Sequence, residues 1–172
     1  MGKKTKILCL RASVFSIIQF CTFTCMKKYL DNSVFVPELG RLVGEGRVVT
    51  VMVRGNSMLP FLVDGRDAVT LRRCQPDRLS VGDVVMARTT DGRTVLHRII
   101  RREGNRLYLQ GDGNVYQTEE ATVEEVWAVV AEVTRKGRRY RVNGMAWRGY
   151  SWIWRRLGVF GRRCVLALYR RI

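Results

Sequence analysis

Tight-turn signals set between short apolar runs are what most restrict the fold of this chain. Thr90-Asp91-Gly92 separates Val84–Arg88 from residues 94–100, and Lys136-Gly137 separates residues 126–133 from 138–142. Glu103-Gly104-Asn105 leads into a further run, Arg106–Gln110. Glycine at such a turn accepts the positive φ a tight hairpin needs, so each signal predicts an antiparallel pair. Residues 48–53 are β-branched and apolar enough for another strand, which ends at Arg54-Gly55, and residues 67–71 alternate weakly. Ahead of them, residues 33–43 read as a short helix: Pro37 suits its first turn, Leu39, Leu42 and Val43 share a face, and Gly44 and Gly46 stop it. The expectation is a mostly β, compact antiparallel domain over residues 26–142, with a short N-terminal helix.

The chain has 172 residues, 47% of them hydrophobic, enough for one core. Its formal charge of +16 is a matter of the two ends. Residues 1–25 carry Lys3, Lys4, Lys6 and Arg11 without an acid, and residues 135–172 carry twelve Lys or Arg, again without an acid. Residues 26–134 hold fifteen basic and fifteen acidic residues. A neutral body with basic appendages points to an anionic surface rather than to specific nucleic-acid binding. Residues 143–172 form a basic amphipathic segment. Arg148, Arg155, Arg156, Arg162, Arg163 and Arg170 fall largely on one side of a helical wheel, with Trp154, Leu157, Val165 and Leu168 on the other. Gly158 and Gly161 weaken that helix or break it in two. Two readings stand: the helix lies in a membrane interface, or it packs on the β domain with a solvated arginine face.

Five irregularly spaced cysteines and a single histidine make a disulfide framework and a structural zinc site poor prospects, so no cofactor or metal is expected. The absence of a disulfide pattern mildly favours a reducing compartment. Residues 1–25 read either as a signal-like segment or as an extension ahead of a start at Met26. Arg11 interrupts the apolar stretch, and the uncharged run after it is shorter than the ~20 residues of a spanning helix. The localisation expected is cytoplasmic or peripheral at the cytoplasmic membrane, with anchoring by residues 1–25 as the alternative.

Chemistry is carried by four short motifs in order: Gly55-Asn56-Ser57-Met58-Leu59-Pro60, Gly82-Asp83-Val84-Val85, His97-Arg98-Ile99-Ile100 and Gly111-Asp112-Gly113-Asn114. A serine hydroxyl becomes a useful nucleophile when a base accepts its proton, and an imidazole, titrating near ~6.5 when unperturbed, suits that task. Ser57 stands where a strand ends, and His97 lies within one.

Ser-Met-x-Pro after a strand, then Gly-Asp-x-Val, then a base followed by Arg and aliphatics resembles signal peptidase I and its LexA-like relatives. His-Arg followed by Gly-Asp-Gly-Asn is similar to the histidine-base type known from the endoplasmic reticulum and archaea. The resemblance covers roughly residues 48–142. It implies a serine endopeptidase acting on a peptide or precursor protein, with Ser57 as nucleophile, His97 as general base and Asp112 orienting the ring. Such relatives also carry a second acid a few residues beyond the Gly-Asp; here Thr118 holds that place, and Glu119 is the substitute acid. Signal peptidases often have serine two residues before the nucleophile, where this chain has Gly55, so the oxyanion would rest on the Ser57 backbone N–H with help from Asn56. Met58 is expected beneath the site. The alternatives are a non-catalytic binding module of the same fold and a LexA-like self-cleaving regulator. The latter would need a DNA-binding domain and a cleavable bond before Ser57, for which residues 26–56 offer no room.

Overall fold

The turn signals mark real hairpins in a computed structural model of the chain, which describes residues 6–11, 17–21, 28–142 and 144–169. In chain order the elements are β1 (Lys6–Arg11), β2 (Ile17–Cys21), β3 (Lys28–Asp31), α1 (Asn32–Gly44), β4 (Val49–Arg54), β5 (Asp67–Arg73), β6 (Val84–Arg88) and β7 (Thr94–Glu103). They continue with β8 (Arg106–Gln110), β9 (Glu119–Thr122), β10 (Val126–Arg135), β11 (Arg138–Arg141), α2 (Met145–Arg156) and α3 (Val159–Tyr169). The sheet runs β3-β2-β1-β4-β5-β10-β6-β7-β8-β9, with β11 paired to β10. Pairing is antiparallel except between β1 and β4. Much of residues 1–25, read as a signal-like segment or an extension, lies outside the described residues; the described parts, β1 and β2, continue the sheet beyond β4.

Alternation along the strands sorts side chains into two cores. On one face, Phe35, Leu39, Leu42 and Val43 of α1 pack over Val49, Val51, Val69, Leu71, Met86 and Val130. All four α1 side chains are at most 1% exposed, so each contributes about 1.5–3 kcal/mol of apolar burial. The other face holds Val85, Ala87, Val95, Ile99, Leu107 and Leu109 over Ala121, Val123 and Val129.

The C-terminal segment is two helices. Gly158 separates α2 from α3, as a residue of poor helix propensity between two apolar runs allows. Trp147, Ser151 and Trp154, spaced to share one face of α2, turn inward and are buried. Trp154 and Leu166 of α3 close a third small core on Leu59, bordered by Val63, Val115 and Tyr150. Trp154 is 3% exposed and faces the β domain, as the packing alternative has it. One detail of the helical wheel is corrected. Arg162 leaves the solvated arginine face, donating to the Trp154 carbonyl (2.9 Å) and to Gln110 Oε1 (2.9 Å). Arg170 lies outside the described residues. Among the described residues, no helix is long and apolar enough to cross a membrane.

Candidate active site

Ser57 follows β4 through Gly55, whose φ of +90° turns the chain out of the strand at little steric cost because no Cβ is present. The Gly55 N–H donates to Asp64 Oδ1 (3.1 Å), pinning the turn. Past Ser57, Leu59 N–H donates to the Asn56 carbonyl (3.2 Å) and Leu62 N–H to that of Met58 (2.8 Å). The Leu59–Pro60 peptide is cis. Met58 is 2% exposed and anchors this loop in the first core, while Asn56 is exposed and Ser57 half-buried.

Gly111 and Gly113 explain themselves against this loop. A Cβ at Gly111 would lie 2.4 Å from the Ser57 carbonyl oxygen and 3.0 Å from His97 Nε2. One at Gly113 would lie 2.5 Å from the Asn56 carbonyl oxygen. The missing side chains let the Gly111–Gly113 backbone pass directly against the serine loop, and Gly113 N–H donates to the Ser57 carbonyl (2.8 Å). The same spot brings His97 Nε2 near the Ser57 backbone, since both border the place a Gly111 Cβ would take.

The other ring nitrogen of His97, Nδ1, hydrogen-bonds Glu119 Oε2, and both side chains are 7% exposed. Arg93 Nη2 lies 3.3 Å from the second Glu119 oxygen. With Nδ1–H donated to the carboxylate, Nε2 keeps its lone pair for an incoming proton. Asp112 does not hold the ring. It forms a two-pronged pair with the neighbouring Arg98, Nε to Oδ1 at 2.8 Å and Nη2 to Oδ2 at 2.6 Å. Strand register is the reason. Ile99 faces Leu109, and Leu109 faces Glu119, so Glu119 shares the face of Ile99 and, two residues back, His97. Arg98 faces Gln110 across the same strands, and the turn after β8 brings Asp112 to Arg98 on that opposite face.

Arg98 is 1% exposed and fully engaged. Its Nη1 donates to the Gly82 carbonyl (2.8 Å) and to the Ser151 hydroxyl (2.7 Å), and its guanidinium lies 5.2 Å from the Phe61 ring centroid. Burial works against its charge, but Asp112 outweighs that and keeps the group protonated. Arg98 thus ties the Gly82-Asp83 turn, the Gly111–Gly113 loop and α2 into one unit behind the site. The sequence signalled it only as the residue after the base. Nothing in the sequence pointed to Ser151 or Arg93.

A family model described as Peptidase S24-like matches residues 18–134. No curated protein matches the chain.

Proposed function

The chain belongs to the Peptidase S24-like family, and from that premise we propose a serine endopeptidase of the histidine-base, signal-peptidase-like type acting on a peptide or precursor protein. Ser57 is the nucleophile, His97 the general base, and Glu119 the acid that orients the ring. The observation that carries this reading is the convergence at Gly111 of His97 Nε2 and the Ser57 backbone, with Glu119 on the far ring nitrogen.

In the first half-reaction the Ser57 hydroxyl oxygen attacks the scissile carbonyl carbon, and its proton passes to His97 Nε2. Glu119 stabilises the imidazolium that forms. The Ser57 backbone N–H, with Asn56 beside it, meets the oxyanion. His97 then gives the proton to the leaving amine, the peptide bond breaks, and an ester remains on Ser57. Water attacks that ester with its proton taken by His97, releasing the acid and restoring the serine. The glycines at 111 and 113 keep bulk away from the attack path, and the Arg98–Asp112 pair fixes the loop that carries them.

A fluorophosphonate probe reports on this directly. Wild-type protein is expected to label at Ser57, with labelling lost in Ser57→Ala and slowed about 10³-fold or more in His97→Ala. Equal labelling of Ser57→Ala would overturn the assignment of the nucleophile, and no labelling of the wild-type protein would favour a non-catalytic binding module.

A further inference from the structure

Away from Ser57 and His97, a cleft of about 770 Å³ runs between α2 and the segment joining β5 to β6. Arg72 and Arg78 line one side and Arg148 and Arg155 the other, with Val81 and Trp152 also in the lining. None of the four arginines forms a salt bridge among the described residues, and Arg155 Nε is occupied only by the Ser151 carbonyl of its own helix. The one carboxylate in the lining, Asp83, already accepts the Ser80 N–H (2.9 Å). Asp83 also feels the Arg72 charge, which leaves four guanidinium groups lining the cleft against a single carboxylate, a balance suited to an anion.

The apolar residues narrow the choice of anion. Val81 is 40% and Trp152 54% exposed, and Arg156 stacks over the Trp152 ring at 4.9 Å. A small soluble anion would leave both apolar side chains in water. A bilayer surface offers phosphates to the arginines and an interfacial layer in which tryptophan is at home. The acid-free stretch from 135 to 172 adds long-range attraction in the same direction. We propose that this cleft docks the headgroup phosphates of anionic phospholipids at a bilayer surface, with Val81 and Trp152 entering the interface.

Co-sedimentation of the full chain with phosphatidylcholine vesicles, with and without phosphatidylglycerol, tests this. Binding is expected to the mixed vesicles alone and to weaken as salt rises. Arg72→Gln with Arg148→Gln should weaken it about thirtyfold, whereas Arg106→Gln with Arg138→Gln, an equal loss of charge at exposed positions outside the cleft, should change it less than about threefold. Brominated lipid should quench the wild-type protein more than Trp152→Phe. Equal binding to neutral vesicles, no binding to either, or equal losses in the two double variants would overturn the proposal. So would displacement by inorganic phosphate or by an acidic peptide at constant ionic strength, which would mark a soluble-anion or protein site.

Discussion

Two acids, Asp112 and Glu119, lie within a few residues of each other, and separate substitutions should give opposite phenotypes. Arg98 and Asp112 are 1% and 3% exposed and pair through two short hydrogen bonds. Asp112→Asn removes the countercharge and replaces one of the two carboxylate acceptors with an amide NH2, leaving the buried guanidinium with neutral acceptors alone: the amide oxygen, the Gly82 carbonyl and the Ser151 hydroxyl. Breaking a buried pair in this way costs about 3–5 kcal/mol. At roughly 2–4 °C per kcal/mol for a chain of this size, the melting temperature should fall by roughly 6–20 °C. Glu119→Gln keeps the shape and can still accept from Nδ1–H, but it loses the charge that stabilises the imidazolium. The labelling rate at Ser57 should fall by about 10²–10⁴, while the melting temperature moves by only a few degrees. The assay pairs thermal unfolding with fluorophosphonate labelling rates, normalised to folded protein and measured well below each melting temperature. If Asp112→Asn loses labelling on the triad scale with its stability intact, and Glu119→Gln labels at the parental rate, the register argument and the site built on it are wrong.

Gly111→Ala should slow labelling by tenfold or more, because its Cβ would stand 2.4 Å from the Ser57 carbonyl oxygen, and backbone on both sides must move; parental labelling kinetics with unchanged stability would contradict that contact. Asp67 is fully buried between Arg66 and Arg135. Burial pushes its carboxyl upward, but hydrogen bonds from the two arginines and the Val63 N–H win and hold it below the ordinary carboxylate range. Its stabilisation is therefore complete above the unfolded value near ~3.9 and is lost as pH falls through the lower folded value. Urea unfolding against pH should show a steep acid decline that Asp67→Asn flattens; the same slope in both proteins would rule the pair out as its source.

The strands were legible wherever a turn residue and an apolar run coincided. Val84–Arg88 and Arg106–Gln110 have the same bounds in sequence and structure. β9 was not, because Glu119-Glu120-Ala121-Thr122 has no apolar alternation and becomes a strand only by pairing with β8. The choice between the two acids failed for the same reason. The Gly-Asp motif of the resemblance favoured Asp112, while the outcome depends on which face of the β7–β8–β9 ladder each acid reaches. That depends on a register set by side chains far from the motif. In the C-terminal segment, a wheel gives the periodicity but not which stripe meets the body; the partner surface, Leu59 and Val115, lies more than thirty residues back in the chain.

His97 and Arg98 are neighbours in one strand yet serve opposite sides of the sheet, and this has a consequence for how the sequence can vary by insertion and deletion. One residue gained or lost inside β7 ahead of them would exchange their positions, sending the guanidinium toward Glu119 and the imidazole toward Asp112. Length changes are therefore tolerable in the Thr90-Asp91-Gly92 hairpin loop, which can grow outward without disturbing the pairing of Val85 with His97. They are tolerable also beyond Ile99, where the β7–β8 register already shifts. The segment from Thr94 to Ile99 is the part of the chain whose length, more than its composition, relatives must preserve.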